Sequence, residues 1–425
     1  MKLLLKGGKV VDPRSGSDDI ADIAIEDGKI IEVGHDLVMD GAETLDVAGL
    51  VIFPGFIDMH VHLREPGRED EETIETGSAA AVSGGFTSIA CMPNTDPPLD
   101  CAPLIEFIKV RGSACGLANI FPIGAATRGM QGEELSEIGE LFRAGAVALS
   151  DDGFPISSSK VVRRVLEYSR MFNMPFISHA EDNDLSSGGA MNEGALSIEL
   201  GLRGIPAASE EIAVSRNLIL AEMTGGRIHI AHVSTARSIE LIREAKGRGV
   251  KVTCEVTPHH FTLTEEAVRD YDTNTKMNPP LRTEGDVAAL RAAIADGTVD
   301  VIATDHAPHT LEEKEVEFDL APFGIIGLET AVPLAVTELI HRGEISLVAL
   351  GRLMSYAPAR ILGLENKGWI GPGADADITV VDLDREFTID VSDFRSMSRN
   401  SPFQGRKVRG KVCYTIVGGR IVFPA

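Results

Sequence analysis

The sequence lacks a long apolar run and any closely spaced cysteine pair. No apolar stretch reaches the roughly 18 residues of a membrane-spanning helix, and the apolar run within residues 1–6 is too short for a secretory signal. The five cysteines are scattered, without a Cys-x-x-Cys pair, which is typical of reduced thiols buried as small apolar groups. These absences predict a cytoplasmic protein with no membrane partner.

The sequence also lacks an excess of positive charge. It has 40 Lys and Arg against 64 Asp and Glu, a formal net charge of -24. Such an acidic chain is not expected to bind nucleic acid or to dock on an anionic membrane surface. The net charge does not exclude an acidic small molecule as a ligand, because the binding of such a ligand depends on local cations such as Arg64.

Apolar runs alternate with segments of helical periodicity between residues 53 and 363. The runs that we interpret as strands are Phe56–Leu63, Thr87–Met92, Ile120–Ala126, Ala146–Ser150, Pro175–His179, Arg227–Val233, Lys251–Val256 and Val299–Thr304. Eight strand–helix repeats over this length predict a (β/α)8 TIM barrel. A doubly wound open sheet is the alternative, and both the count of eight and the lack of Gly-x-Gly-x-x-Gly after a strand disfavour it.

Short β-type runs between glycine-rich turns occupy both ends of the chain, residues 1–52 and 364–425. The simplest arrangement pairs these flanks into one small β-sandwich domain beside a hydrolase barrel of residues 53–363. Two separate small domains are less favoured, because each flank is short.

Imidazoles and carboxylates collect at the predicted carboxyl ends of the strands, where a barrel of this type places its chemistry. The candidate metal ligands are His60, His62, Asp152, His179, His232 and Asp305. His60 and His62 lie two residues apart, so they share one face of a strand and can bind the same ion. Mixed imidazole and carboxylate ligands suit zinc.

These ligands predict two ions rather than one. The two histidines of the first strand and Asp305 would hold the first ion, and His179 and His232 the second. Asp152 is the carboxylate best placed to bridge them. Such pairs typically share a hydroxide, because a zinc ion lowers the pKa of bound water to roughly 7. Asp305 can also accept the proton of that water and return it to a leaving nitrogen.

Other polar residues near the strand ends are interpreted as supporting groups. They are His229, His259, His260, His306 and Asp151. His229 precedes His232 by three residues and therefore faces the opposite side of its strand. His306 beside Asp305 points away from the centre in the same manner.

Short polar motifs follow one another along nearly the whole chain. They are residues 54–67 (Pro-Gly-Phe-Ile-Asp-Met-His-Val-His-Leu-Arg-Glu-Pro-Gly), Met92-Pro-Asn-Thr95, Ser150-Asp-Asp-Gly153, His179-Ala-Glu-Asp182, His232-Val-Ser-Thr235, Glu255-Val-Thr-Pro-His-His260, Lys276-Met-Asn-Pro-Pro-Leu-Arg282, Ala303-Thr-Asp-His-Ala-Pro-His309, Pro322-Phe-Gly324 and Asn400-Ser-Pro-Phe403. His-x-His alone is a weak signal, but this ordered set resembles the amidohydrolase superfamily and, within it, the bacterial class I dihydroorotases.

The resemblance implies a barrel with a small β domain from both termini. It also implies the reversible cyclisation of N-carbamoyl-L-aspartate to (S)-dihydroorotate and water in de novo pyrimidine (UMP) synthesis, with a metal-bound hydroxide and Asp305 as general acid and base. The family's metal roles fall on the six candidate ligands. Its substrate roles fall on His62, Arg64, Asn94, Asn278, His309, Phe323 and Gly324. The Arg64 fork suits the substrate carboxylate, and Asn94 adds a directed amide.

One position departs from many relatives of this superfamily. Hydantoinases, allantoinases and other dihydroorotases carry a carboxylated Lys as the metal bridge after the fourth strand. Here the stretch reads Ala148-Leu-Ser-Asp-Asp-Gly153, with no Lys. A bridge by Asp152 follows, and a hydantoinase interpretation weakens.

Two other functions stay open: a different cyclic ureide or imide hydrolase, and a non-catalytic partner subunit. Some chains of the family have lost metal ligands and act as scaffolds for aspartate carbamoyltransferase. This chain keeps the whole set, which favours an active enzyme and leaves an association with that transferase open. A homodimer is expected. Residues 310–321, after the eighth strand, are either a lid over the site or a solvated loop.

Overall fold

The computed structural model describes residues 1–424, so residue 425 of the predicted terminal domain lies outside the described part of the chain. The strands are β1 Lys2–Asp12, β2 Ser17–Glu26, β3 Lys29–Gly34, β4 Glu43–Asp46, β5 Val51–Pro54, β6 Phe56–Val61, β7 Phe86–Cys91, β8 Asn119–Ala125, β9 Ala148–Ser150, β10 Phe176–Ser178, β11 Met191–Asn192, β12 Gly204–Ile205, β13 Ile228–Ile230, β14 Val252–Val256, β15 Val301–Ile302, β16 Ile378–Thr388, β17 Lys407–Val417 and β18 Arg420–Phe423. The α-helices are α1 Ile74–Ser83, α2 Ala102–Cys115, α3 Ile138–Ala144, α4 Ser159–Ser169, α5 Asn183–Ser186, α6 Ala195–Leu200, α7 Ala207–Thr224, α8 Ala236–Gly247, α9 Pro258–Thr262, α10 Glu284–Ala295, α11 Leu311–Lys314, α12 Ala331–Ala335, α13 Leu347–Gly351 and α14 Ala357–Leu362.

Eight parallel strands form the barrel in the order β6, β7, β8, β9, β10, β13, β14, β15. The first and last strands meet where Val61 pairs with His306, and the His62 N–H donates to the His306 carbonyl at 2.8 Å. Lower in the same seam, the buried Asp58 carboxylate accepts from the Thr304 N–H at 3.2 Å. The predicted (β/α)8 barrel is therefore confirmed, and each of the eight predicted runs overlaps one of its strands, although β7 and β8 each begin one residue before the predicted run.

Polar caps in the sequence start the barrel helices. Thr73 and Thr76 form a reciprocal capping box at the start of α1, and Thr283 and Asp286 do the same for α10. Each such cap stabilises its helix by about 1 kcal/mol, because it satisfies backbone N–H groups that the helix leaves unpaired. In the part of the chain that the structure describes, no helix has both the length and the apolar character to span a membrane.

A second sheet combines strands from both ends of the chain, in the order β18, β17, β16, β5, β1, β2, β3, with β4 paired to β1. Its central pairing joins β5 to β16, where Pro54 lies opposite Ile378. Gly55 leads directly from this sheet into the barrel, and a Cβ there would lie 2.2 Å from the Thr87 hydroxyl. Only glycine permits this close approach. The domain limits at residues 52 and 364 stay a prediction.

Candidate active site

Four side chains at the ends of three barrel strands meet in one buried cluster. His60 Nε2 and His62 Nε2 each lie 3.3 Å from Asp152 Oδ2. The same two nitrogens lie 3.3 and 3.1 Å from Asp305 Oδ1. Tetrahedral zinc ligands stand about 3.3–3.4 Å apart, since Zn–N bonds measure about 2.0–2.1 Å. The cluster therefore has the spacing of ligands around one small cation.

A second cluster uses the other oxygen of the same carboxylate. Asp152 Oδ1 lies 3.5 Å from His179 Nδ1 and 3.4 Å from His232 Nε2, and these two nitrogens are 3.1 Å apart. The structure thus brings all six predicted metal ligands into two groups that share Asp152. Each oxygen of this carboxylate faces one group, as a bridging ligand requires.

Charge and unmet hydrogen bonding at the clusters also fit a bound cation. His60 Nε2 and Asp152 Oδ1 are buried and make no hydrogen bond within residues 1–424. Burial raises the pKa of Asp152, but the neighbouring histidines, His60 foremost, outweigh burial and hold the pKa well below its usual range. Burial likewise raises the pKa of Asp305, and His60 and His62 bring it below its ordinary value. A divalent cation would satisfy the open ligand atoms and compensate both carboxylates.

The backbone is strained at three of the residues that surround the clusters. Arg64, His232 and Asp305 have φ angles of 61°, 31° and 51°, in the left-handed region that L-residues rarely adopt. Each follows the end of a barrel strand, so the strained residue turns the chain where the strand stops. Strain of this kind costs roughly 1–3 kcal/mol per residue and persists where the surroundings enforce it, commonly at functional sites.

Glu255 on β14 lies behind the predicted ligand His60, and the sequence motifs assigned it no role of its own. Its fully buried carboxylate hydrogen-bonds to His60 Nδ1 and, at 3.0 Å, to His229 Nε2, and it accepts from the His232 N–H at 3.3 Å. Burial raises its pKa, but His60 and His229 more than offset this and lower it. A carboxylate behind a metal-binding imidazole fixes the ring and its tautomer. The available signal was an acidic residue inside the apolar run Lys251–Val256.

We expect Glu255→Gln to weaken metal binding by about 10- to 100-fold, because His60 loses the carboxylate that orients it. Titrating zinc, as a probe ion, into metal-free protein measures the effect. Glu240→Gln, a change of the same type at an exposed residue of α8, is the control and should bind zinc as the parent does. Equal affinity in both variants would remove Glu255 from the site.

Contacts at the Nε atom fix the Arg64 guanidinium beside the two ligand clusters. Its Nε donates to the Pro308 carbonyl at 3.1 Å and lies 2.9 Å from the Glu71 carboxylate. Arg64 Nη2 is 3.5 Å from His309 Nε2. His309 Nε2 in turn donates to the Phe323 carbonyl at 2.8 Å. Three of the predicted substrate residues thus form one connected group.

The two predicted substrate asparagines are linked by hydrogen bonds and close contacts to predicted metal ligands. Asn94 Oδ1 accepts from His62 Nδ1 at 2.7 Å. Asn278 Nδ2 donates to Glu181, whose carboxylate lies 3.4 Å from His179 Nε2. In each amide, one of the two polar atoms is therefore bonded within the protein, the oxygen in Asn94 and the nitrogen in Asn278. The other polar atom is left for a ligand.

Gly324 has little space around it. A Cβ there would lie 2.8 Å from the Ala307 Cβ and 3.0 Å from His309 Nε2, and its φ of 136° also favours glycine. The Gly324 N–H donates to the Lys276 carbonyl at 2.9 Å. Gly324 thus makes room for His309, and the substrate contact predicted for Phe323 and Gly324 stays a prediction.

The side chains of the supporting residues form their hydrogen bonds with groups other than the predicted metal ligands. Asp151 accepts from the Ala126 N–H at 2.8 Å, and burial raises its pKa to about 7. His260 Nε2 donates to the Pro279 carbonyl at 2.9 Å and so secures the loop that carries Asn278. His306 Nδ1 accepts from the Gly327 N–H at 3.1 Å. His259 is buried against His260, and burial lowers its pKa well below the usual value.

Buried side chains anchor the segment of residues 310–321, although most of its residues are exposed. It opens with α11, whose Lys314 is buried and donates to the carbonyls of Pro322 at 2.8 Å and Gly324 at 3.0 Å. Phe318 of the same segment is also buried. The segment therefore supports the loop beneath it, and its opening as a lid stays a prediction.

Comparison with known proteins places this geometry in a family. The family model described as dihydro-orotase-like matches residues 49–238, and that of an amidohydrolase family matches residues 221–423. A dihydroorotase of Pelotomaculum thermopropionicum is 58% identical over 99% of this chain and 98% of that protein. One from Acetivibrio thermocellus is 53% identical, again over 99% and 98%. The chain belongs to the dihydroorotase family. This confirms the resemblance that the motifs indicated.

Similar solved structures confirm the architecture of this member of the dihydroorotase family. An L-hydantoinase (dihydropyrimidinase) from Arthrobacter aurescens superposes with a TM-score of 0.89 at 27% identity, covering 99% of this chain and 96% of that one. A D-hydantoinase structure gives 0.84 at 23% identity, which shows the shared fold alone. The barrel and the sheet from both termini are therefore common to these enzymes. In this dihydroorotase-family chain, the end of β9 supplies Asp152 and no lysine.

Proposed function

We propose that the chain is a dihydroorotase that catalyses the reversible cyclisation of N-carbamoyl-L-aspartate to (S)-dihydroorotate and water in de novo pyrimidine synthesis. The observation that carries the proposal is the pairing of two ligand clusters around Asp152 with Arg64 at the same strand ends. Two adjacent cations suit attack on an amide carbonyl, and Arg64 suits the carboxylate of this substrate. Membership of the dihydroorotase family supports the same reaction.

We also propose that the metal is zinc, with two ions per chain. His60, His62 and Asp305 would hold one and His179 and His232 the other, with Asp152 shared. Imidazole and carboxylate donors at tetrahedral spacing favour zinc over harder cations that prefer all-oxygen sites. When bound, the two ions would activate a shared water at neutral pH and polarise the amide carbonyl.

Asp305 carries the proton in this mechanism. In ring opening, its carboxylate accepts the proton of the attacking water and delivers it to the departing ring nitrogen, and in cyclisation the same transfers run in reverse. Its side chain is largely buried, and its Oδ1 lies 3.1 Å from His62 Nε2. Both atoms would bind the first ion, and that shared ion would hold the carboxylate beside the reacting water. The second carboxylate oxygen stays available for the proton transfer.

Arg64, Asn94 and His309 would bind the substrate carboxylate. The guanidinium can accept a carboxylate in two parallel hydrogen bonds, and its fixed Nε edge sets the direction of approach. The Asn94 oxygen accepts a hydrogen bond from His62, so its NH2 group is left to donate to a carboxylate. Asn278 would contact the ureido part of the ring.

We expect Arg64→Lys to raise KM for dihydroorotate by about tenfold or more while kcat changes much less, because a lysine cannot form the two-pronged contact. Steady-state kinetics of ring opening measure this split. Arg163→Lys, an exposed change on α4, is the control and should match the parent. A collapse of kcat at unchanged KM would contradict the role given to Arg64.

A substrate panel tests the proposed reaction. Ring opening of dihydroorotate should far exceed that of dihydrouracil and allantoin, which lack the carboxylate that Arg64 would bind. Equal or better turnover of the two neutral rings would replace the proposal with another cyclic ureide hydrolase of the superfamily. Full metal content without turnover until a partner is added would instead support a partner-dependent subunit.

We also propose a cytoplasmic location, a homodimer and an association with aspartate carbamoyltransferase, the last of which rests on the family resemblance. Light scattering after size exclusion tests the homodimer and the association, on the chain alone and on its mixture with a carbamoyltransferase. A single peak with the mass of two chains is expected for the isolated protein. A monomer would overturn the proposed homodimer, and unchanged elution of the mixture would overturn the proposed association.

A further inference from the structure

Glu181 lies between a metal-binding residue and a substrate-binding residue. It follows β10 by three positions, and its side chain is 12% exposed. Glu181 Oε2 is 3.4 Å from His179 Nε2, the ring nitrogen that faces away from Asp152. Both carboxylate oxygens lie 3.2 Å from Asn278 Nδ2. One acidic side chain therefore contacts both parts of the site.

The chemistry of this contact fixes the orientation of Asn278. An ionised carboxylate can only accept hydrogen bonds, so the amide must direct its NH2 group to Glu181. The Asn278 oxygen then lies on the opposite edge, where it can accept a hydrogen bond. Asn94 is held in the reverse sense, because its oxygen already accepts from His62. One asparagine thus presents an acceptor and the other a donor.

We propose that Glu181 is a positioning residue that holds Asn278 as an acceptor for a ureido N–H of the substrate and supports the ring of His179. This rests on the proposed function, since dihydroorotate combines ring N–H donors with a carboxylate acceptor. Asn278 and Asn94 match these two groups, respectively. Glu255 hydrogen-bonds to His60, and Glu181 lies within ion-pair distance of His179 at 3.4 Å, so each cluster has one carboxylate behind an imidazole.

Glu181→Gln removes the acceptor-only partner and keeps the size of the side chain. We expect KM for dihydroorotate to rise about tenfold, the value of one directed hydrogen bond, because Asn278 can then rotate. Zinc affinity of the metal-free protein should fall by about 10- to 100-fold, because His179 loses its carboxylate. Asn278→Ala should reproduce the rise in KM and leave zinc affinity unchanged.

The double variant separates the two effects. Adding Glu181→Gln to Asn278→Ala should leave KM nearly where Asn278→Ala puts it, while zinc affinity still falls. Asp184→Asn, an exposed change in α5 three residues after Glu181, is the matched control and should match the parent in both measurements. Additive effects on KM, or zinc affinity equal to that of the control, would overturn the proposal.

Two further results keep this test decisive. Glu181→Asp retains an acceptor-only group on a shorter side chain, so it should show both effects at smaller size, and it replaces Glu181→Gln if that variant does not fold. A parent protein that binds zinc but does not turn over dihydroorotate would refute the proposed function. The zinc titrations would still decide whether Glu181 supports His179.

Discussion

Asp305→Asn is expected to reduce kcat for dihydroorotate by about 10³-fold or more, since general acid–base catalysis alone contributes about 10²–10⁴. The amide has nearly the shape of the carboxylate but can neither take the proton from water nor return it to the ring nitrogen. It also removes one anionic ligand from the first cluster. Steady-state assays in both reaction directions measure the loss, which should be similar in each.

Binding of carbamoyl aspartate should change much less than turnover in this variant. Arg64, Asn94 and His309 are untouched by the substitution, and they carry the proposed carboxylate contacts. Equilibrium binding gives the comparison directly, because KM need not equal the dissociation constant. Asp319→Asn, at an exposed carboxylate of the 310–321 segment, is the control. A large loss of binding with kcat preserved would reverse the roles assigned here.

Asp152→Asn is expected to lower metal content from two ions to at most one per chain and to bring turnover close to background. Each Asp152 oxygen faces one ligand cluster, and an amide keeps only one oxygen. The NH2 group of the asparagine would be a hydrogen-bond donor where the surrounding imidazoles need an anion or a shared cation. Elemental analysis of the purified protein, together with turnover, measures both consequences.

The neighbouring carboxylate provides the matched comparison. Asp151→Asn changes the same group one residue away, but Asp151 bonds to the Ala126 and Thr127 backbone rather than to histidines. It should therefore retain both ions, while thermal stability falls because a buried hydrogen-bond network is broken. Loss of metal in the Asp151 variant and not in the Asp152 variant would show that the bridge had been assigned to the wrong residue.

The barrel could be predicted because each strand is an apolar run that ends in a polar signal. His60 and His62 share one face by strand parity alone, and the other metal ligands were found by reading only the strand ends. The same parity argument separated His229 from His232. The structure places His229 against Glu255, consistent with that separation.

Other features of the site depend on contacts that local sequence does not encode. The left-handed backbone at His232 and Asp305 follows from how the strand ends pack, and the residue type alone does not predict it. The hydrogen bond from His62 to Asn94 joins two residues that are 32 positions apart in the sequence, so Asn94 could be predicted only as a substrate residue. The burial of Lys314 within the 310–321 segment could not be predicted either, because a lysine in an acidic stretch is normally expected to be solvated.

An anomalous-difference map of crystals grown with zinc tests the central claim, a carboxylate shared by two ions, most directly. Two peaks are expected about 3.5–4 Å apart, the usual spacing of paired metal sites. One should lie among His60, His62 and Asp305 and the other between His179 and His232, with Asp152 between the peaks. A single peak, or two peaks that do not share Asp152, would contradict the account.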